Sequence, residues 1–416
     1  MTYIEFFDKT AIENMCGCLT KAPDRVIFIG DKSKVMKKAV ARYSRVMEDR
    51  GYQVEFIVKT VNRNNLGGII KLLSEIVEKY DDCYFDLTGG EDLYLVAAGA
   101  VRERYPHKNI QMHWFNLKSN TIADCDQDGT TIMSEPPHLT VEEQVRIYGG
   151  DVVYDDERPL GTHRWDMNPE FVEDINKMWE ICRRNPRRWN TLMGVLVAAE
   201  NVAEPDGDPL VLLARKEKVV EKLAEKGHYF LWAPEIVRML FAAGLLTSCD
   251  CNDTTVRLAY KNAQIKKLMS NAGKILEMKI YALARSLTGP DGNPVYGDVM
   301  TGVYIDWDGE VHGEQANYDT VNEIDVVLMR NLIPVFISCK NGHIDQEELY
   351  KLVSVTSRFG GKYARKVLIA NSLDPESDFC KHLTQRAADM GIDLVPNVYL
   401  LEEEDLCRLV RNFWTA

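Results

Sequence analysis

Residues 1–120 alternate between two hydrophobic periods. The apolar run Val26-Ile27-Phe28-Ile29 closes on Gly30, the pattern of a buried strand over 25–30. Residues 33–50 then carry Val35, Met36, Val40, Tyr43, Val46 and Met47 at helical spacing and stop before Gly51. A strand over 52–61 follows. Next come a helix over 66–80 with the stripe Ile69, Ile70, Leu72, Leu73, Ile76 and Val77, a strand over 83–87, a helix over 91–105 and a strand over 110–117. The order βαβαβαβ predicts a parallel sheet with helices on both faces, an α/β Rossmann-like domain.

Beyond it the pattern changes twice. Residues 116–123 and 130–133 read as strands around the turn signal Asp128-Gly129, although Asp124, Asp126, Asp128, Gly129 and Glu135 also fit a calcium-loop expression. A short helix over 141–148 closes on Gly149-Gly150. Residues 168–260 are mostly helical, with one helix over 171–185, another over 234–243, and short strands over 245–248 and 255–258. Helices followed by a β-hairpin suggest a winged-helix connector. The last part reads as helix 271–284, a strand within 295–307, strands 322–329 and 334–340, helix 346–359, strand 366–370, helix 379–390, strand 394–395 and helix 401–413. That αβββαβαβα order predicts a second α/β domain with a mixed sheet. The expected division is 1–150, 151–261 and 262–416.

Composition narrows the function. The chain of 416 residues is 45% hydrophobic and 27% charged, ordinary for a globular protein. A net charge of -13 offers no long-range attraction to nucleic acid, so any such contact needs a local basic patch. Arg183, Arg184, Arg187 and Arg188 supply one, with Trp189 beside them as a stacking candidate; a solvated or interdomain corner gives the same pattern. No apolar run reaches the ~20 residues of a membrane helix, so no membrane partner is expected. The N-terminus lacks the basic start and apolar core of a signal peptide, and the ten scattered cysteines suit reduced thiols in a cytoplasm. The Cys16/Cys18 and Cys249/Cys251 pairs lack zinc-knuckle spacing.

Two loops and one hairpin carry candidate chemistry. In a parallel sheet, ligands sit at the carboxyl ends of the strands. There lie Gly30-Asp31-Lys32-Ser33-Lys34 and Asp86-Leu87-Thr88-Gly89-Gly90-Glu91, each entering a helix whose N-terminus favours an anion. Neither is GxGxxG, which disfavours a dinucleotide; ordinary βα turns would look the same. In the hairpin, Glu323 and Asp325 share one strand face, and Ser338 and Lys340 share a face of the next. Two carboxylates beside a lysine suit a divalent cation and phosphodiester hydrolysis, and a surface ion pair across a hairpin is the alternative.

A leading helix with the internal acid Glu277, the pair Glu323-x-Asp325 and a strand ending at Lys340 resemble the PD-(D/E)xK core of restriction-endonuclease-like nucleases. The strings Asn-Glu-Ile-Asp-Val-Val-Leu and Phe-Ile-Ser-Cys-Lys-Asn-Gly are similar to those of CRISPR ancillary nucleases, in which a CRISPR-associated Rossmann fold (CARF) sensor is fused to the nuclease. The Asp86–Gly90 loop also resembles CARF domains, so the resemblance spans essentially the whole chain. It implies a type III CRISPR effector, a homodimer switched on by a cyclic oligoadenylate, above all cyclic tetra-adenylate, that cuts DNA or single-stranded RNA with Mg2+ or Mn2+. The implied ligand residues are Gly30, Asp31, Lys32, Ser33, Lys34, Thr88, Gly89, Gly90, Glu91 and Asn116. Asp325 is the implied main metal ligand, with Glu277, Glu323 and the Cys339 carbonyl supporting it. Lys340 is implied to orient water and stabilise charge. One position departs from the motif: Ser338 stands where a second acid is expected, and Glu323, Glu347 or Glu348 would have to make up its charge. Two other readings remain open. One is a CARF and winged-helix DNA-binding regulator with an inactive nuclease fold; the other is a stand-alone nuclease that binds some other nucleotide.

Overall fold

The computed structural model describes residues 1–125, 130–132, 137–158, 160–309, 321–342, 344–371 and 373–414. The first domain comprises β1 (Thr2–Phe6), α1 (Cys16–Lys21), β2 (Arg25–Gly30), α2 (Ser33–Asp49), β3 (Glu55–Thr60), α3 (Leu66–Lys79), β4 (Asp82–Asp86), α4 (Asp92–Arg104) and β5 (Asn109–Asn116). The hairpin β6 (Thr121–Asp124) and β7 (Thr130–Ile132) and the helix α5 (Val141–Tyr148) follow. The sheet order is β3-β2-β1-β4-β5-β6-β7, with β3 to β5 parallel and β6 and β7 antiparallel. The calcium-loop expression falls partly on residues outside the described ones; its flanks pair as a hairpin.

The four sequence-read strands are β2 to β5, and the central strand β1 was missed. All five of its residues are buried, Glu5 among them, and a buried acid breaks the apolar run that marks a central strand. With β1 restored, the order reverses between β1 and β4. The switch point therefore lies where the loop after β1 meets the loop after β4.

The connector contains β8 (Asp151–Val153), α6 (Pro169–Arg184), α7 (Pro186–Asn201), β9 (Val211–Arg215), α8 (Lys216–Ala224), α9 (Pro234–Ala242), β10 (Leu246–Cys251), β11 (Thr255–Tyr260) and α10 (Ala263–Leu268). Strand β9 pairs with β11, giving a three-stranded sheet β10-β11-β9 behind the helix pair α8 and α9. The order α7-β9-α8-α9-β10-β11 is winged-helix topology. Trp189 is fully buried and its Nε1–H donates to the Ala272 carbonyl at 3.2 Å, so it is not available for stacking. An indole on the first turn of α7 faces the core because α7 is covered by both α6 and the C-terminal domain.

The last domain holds α11 (Lys274–Ser286), β12 (Asp298–Asp306), β13 (Val321–Arg330), β14 (Ile333–Lys340), α12 (Gln346–Phe359), β15 (Arg365–Ala370), α13 (Asp378–Asp389), β16 (Asp393–Val395) and α14 (Glu403–Asn412), the αβββαβαβα order expected. Its sheet runs β16-β15-β14-β13-β12-β8. The edge strand β8, placed with the connector by sequence, pairs antiparallel with β12. One face of this sheet packs on the connector through Val326, Leu328, Val335 and Ile337. Val327, Met329 and Phe336 on the other face share a core with Tyr3, Phe28 and Val46 of the first domain. Helix α5 pins that junction. It opens with a Thr140/Glu143 capping box. Glu143 binds Arg50 of the first domain at 2.6 Å, and Gln144 Nε2 donates to the Phe359 carbonyl of α12 at 2.8 Å.

Candidate active site

Strands alternate their side chains between faces, and β13 breaks that rule at one residue. Ile324 packs in the sensor-side core while Val326, two positions on, packs in the connector-side core. Between them stands Asp325. Opposite it on β12, in unbroken register between the Thr301–Val326 and Val303–Ile324 pairs, stands Gly302 at φ +56. That left-handed backbone favours glycine. A Cβ there would also lie 3.1 Å from Lys274 Nζ and 3.7 Å from Glu323 Oε1. The twist thus opens a notch lined by β13, β14 and the first turn of α11.

Asp325 is fixed from behind. Its Oδ2 accepts the Cys339 backbone N–H at 2.6 Å and the Ser338 hydroxyl at 3.2 Å, while the Asp325 carbonyl accepts from Thr301 at 3.0 Å. Ser338, at the position where an acid was expected, therefore orients Asp325 by hydrogen bonding. Glu277 and Glu323 are brought to the same notch by Lys274, which lies 3.1 Å from Glu277 Oε2 and 3.6 Å from Glu323 Oε1. Lys274 had no signal of its own in the sequence beyond its place one turn before Glu277. Lys340 pairs at 2.7 Å with Glu348 of α12, which also holds Lys351 at 3.0 Å. Glu348 is thus a partner of the lysine, and the sequence left that role open.

Three carboxylates in one notch repel one another. Burial, opposed by Lys274 and assisted by Asp325, pushes Glu277 up to about 7. Burial also raises Asp325, with Lys340 and the Cys339 N–H pulling the other way. Glu323 and its register partner Tyr304 interact as well, and burial followed by that acid pushes the phenol up to about 12. Among the described residues, no three metal-ligating side chains converge on one point. Lys274 supplies the positive charge between two of the acids.

At the sensor end, Arg63 joins the two predicted loops, lying 3.4 Å from Asp31 and 2.6 Å from Glu91. Together with Lys32 these residues line a cavity of about 340 Å3 that also takes in Asp8, Tyr148 and, from α12, Arg358. Helices α2 and α4, which start at the two loops, lack any side-chain cap, whereas Asn65 caps α3. The other predicted positions support the loops. Thr88 Oγ1 accepts the Phe115 N–H at 3.0 Å. Gly89 packs on Asp8, and Gly90, at φ +99, on Phe6. Gly30 packs on Met36, and Ser33 and Lys34 form the first turn of α2. Asn116 turns to its own loop, accepting from the Lys118 and Ser119 N–H groups, so its side chain is not drawn to the cavity. Arg63 and Asp8 were missed because the first lies in an unremarkable turn and the second follows the unrecognised β1.

Chain-wide comparisons sharpen this picture. No protein-family model and no curated protein matches the sequence. Among solved structures, Can2 from Sulfobacillus thermosulfidooxidans in complex with cyclic tetra-adenylate aligns over 100% of this chain and 99% of its own, at 17% identity and a TM-score of 0.67. This chain has the Can2 fold. The crystal structure of VC1899 from Vibrio cholerae aligns over 99% of this chain and 97% of its own, at 18% identity and a TM-score of 0.73. The N-terminal sheet is accordingly Rossmann-like, joined by a helical and winged-helix connector to a second α/β domain with a mixed sheet. Among the described residues, no helix is long and apolar enough to cross a membrane.

Proposed function

We propose that this chain is a nuclease of type III CRISPR defence, switched on by a cyclic oligoadenylate and acting as a homodimer. The observation that carries the reading is the notch at Asp325, where a strand twist, an oriented carboxylate, two further acids and two lysines meet. The donor set fits a divalent cation: burial and the neighbouring acids raise Glu277 and Asp325, and the absence of a side chain at Gly302 leaves room beside Lys274 and Glu323. Asp325, Glu277, Glu323 and the Cys339 carbonyl would hold Mg2+ or Mn2+, which supplies the charge that activates water and offsets the developing negative charge on phosphorus. The side chains do the rest. The Cys339 N–H and Ser338 hold Asp325 in one rotamer, and Lys340, released from Glu348, stands at the phosphate. Lys274 stands between Glu277 and Glu323, opposes the protonation of Glu277, and would give way to a bound cation.

The activator reading rests on the uncapped helix starts of α2 and α4 and the cationic Arg63 and Arg358 around the sensor cavity. It rests also on the fold shared with a protein solved with cyclic tetra-adenylate. In a homodimer that cavity would meet its copy across the two-fold axis and take a symmetric anion. The regulator reading is weaker, because α9, the helix a winged-helix protein sends into a groove, carries Arg238 against Glu235 and no further cation. The test is cleavage of plasmid and single-stranded nucleic acid in Mn2+. Asp325→Ala and Lys340→Ala should each lose at least ~100-fold while still binding the activator, the scale of losing a charge-stabilising group. Undiminished cleavage in both variants refutes the site.

A further inference from the structure

The turn joining α8 to α9 reads Lys226-Gly227-His228-Tyr229-Phe230-Leu231-Trp232. Its side chains sort by parity. Phe230 and Trp232 stack at 6.4 Å between ring centroids and pack on the connector core. Tyr229 and Leu231 face outward at 84% and 53% exposure, apolar surface that nothing inside this chain uses. Beneath them lies a cavity of about 580 Å3. Its floor is one stripe of α7, running from Asn190 and Thr191 through Gly194 to Val197. Gly194 sits in mid-helix, where a Cβ would meet nothing within 4 Å. Neither packing nor backbone conformation asks for glycine there, and glycine weakens a helix interior. What its missing side chain does is leave the floor open.

The inner end of this cavity touches the catalytic hairpin. Asn190 Nδ2 donates to the Asn341 carbonyl at 2.8 Å, and Asn341 Nδ2 donates to the Ala272 carbonyl at 2.7 Å. Asn341 follows Lys340 in sequence, and Ala272 lies two residues before Lys274. The cavity thus has apolar walls, amide groups at its inner end, an exposed aromatic ring at its lip, and exposed Lys226 and His228 beside that ring. This combination of stacking ring and nearby cations is what one unpaired base and its phosphates require. A paired base, held inside its stack, has no free face to offer.

We propose that this cavity seats an unpaired nucleobase of a single-stranded nucleic-acid substrate, stacked on Tyr229, with Lys226 and His228 toward its phosphates and the strand continuing past Asn341 to Lys340. This rests on the nuclease reading and names the form of substrate. The test reads binding without cleavage, in the full-length Asp325→Ala protein with chelator present. Fluorescence anisotropy is recorded with a short labelled oligodeoxythymidylate, the corresponding oligouridylate and a blunt duplex. Tyr229→Ala, at a residue too exposed to support the fold, and Gly194→Leu, which fills the floor, are each expected to weaken single-strand binding about tenfold, within the range of one lost base stack. Duplex and cyclic tetra-adenylate binding should stay unchanged. Unaltered single-strand affinity in Tyr229→Ala, or an equal loss for the duplex, overturns the proposal. Absence of cleavage by the unsubstituted protein alongside the expected binding pattern would instead sink the nuclease reading alone.

Discussion

Asp325 and Glu5 are both buried acids on central strands, and they solve that problem in opposite ways. Asp325 is held by a backbone N–H and two lysines within electrostatic reach. Among the described residues Glu5 makes no ion pair with a cation; it lies in register with Asp86 of β4 under the switch-point loops. Burial first, then Asp86, raises Glu5 well above the carboxylate range, and burial pushes Asp86 up to about 6. Their folded values exceed the unfolded ones, so the stability they contribute is full below about pH 4 and is lost as pH rises through 6. The melting temperature should therefore fall between pH 5 and pH 8. Glu5→Gln, a neutral isostere, should raise it by a few degrees at pH 8 and leave it nearly unchanged at pH 5; an equal effect at both would contradict the pair's titration. Individual side chains were also where the sequence was least informative. Asp325, Glu323, Glu277 and Lys340 were legible because charges stood in apolar strands and a helix. Lys274, Arg63 and Gly302 were not, because their roles come from positions brought together only by folding.

Helix α12 is the element that touches both ends of the molecule. Its first turn carries Glu348, bound to Lys340 at 2.7 Å, and its last turn carries Arg358 at the sensor cavity. Fourteen residues at 1.5 Å each span about 20 Å as one rigid piece. Under the proposed function, a ligand that draws on Arg358 would pull on the same rod that holds Lys340, which would couple the two ends through one element. Arg358→Ala should keep activator affinity within a few-fold while losing most of the activation. Glu348→Gln should raise cleavage without activator, since Lys340 loses its alternative partner. Titration calorimetry beside cleavage assays separates these; parallel loss of binding and cleavage in Arg358→Ala would remove the rod argument. The elements themselves were largely readable, α12 included. The unread strands were β1, hidden by Glu5, the short edge strand β8, and β9, a short strand in a region whose periodicity was helical; the short helix α1 was unread as well.

The whole molecule is not three beads on a string. Strand β8 leaves the connector to close the C-terminal sheet, and one apolar core runs from Phe28 of the first domain to Phe336 of the last. Thermal unfolding of the chain should accordingly show one main transition by calorimetry, and a fragment of residues 262–416 should fail to fold, lacking both β8 and the apolar surface that covers Val327 and Met329. Two well-separated transitions would show that the shared core is energetically minor. Sequence could divide the chain but not foresee this sharing, because an apolar strand does not say which neighbour covers each face. The shared core would also let a ligand event at one end reach the other. The most direct measurement of that claim is the rate of nucleic-acid cleavage in Mn2+ with and without cyclic tetra-adenylate, at fixed protein concentration. The structure predicts a rise of at least ~100-fold on adding the activator, the size of a coupling near the upper end of the usual range. Equal rates with and without it, or no cleavage under either condition, would contradict the account.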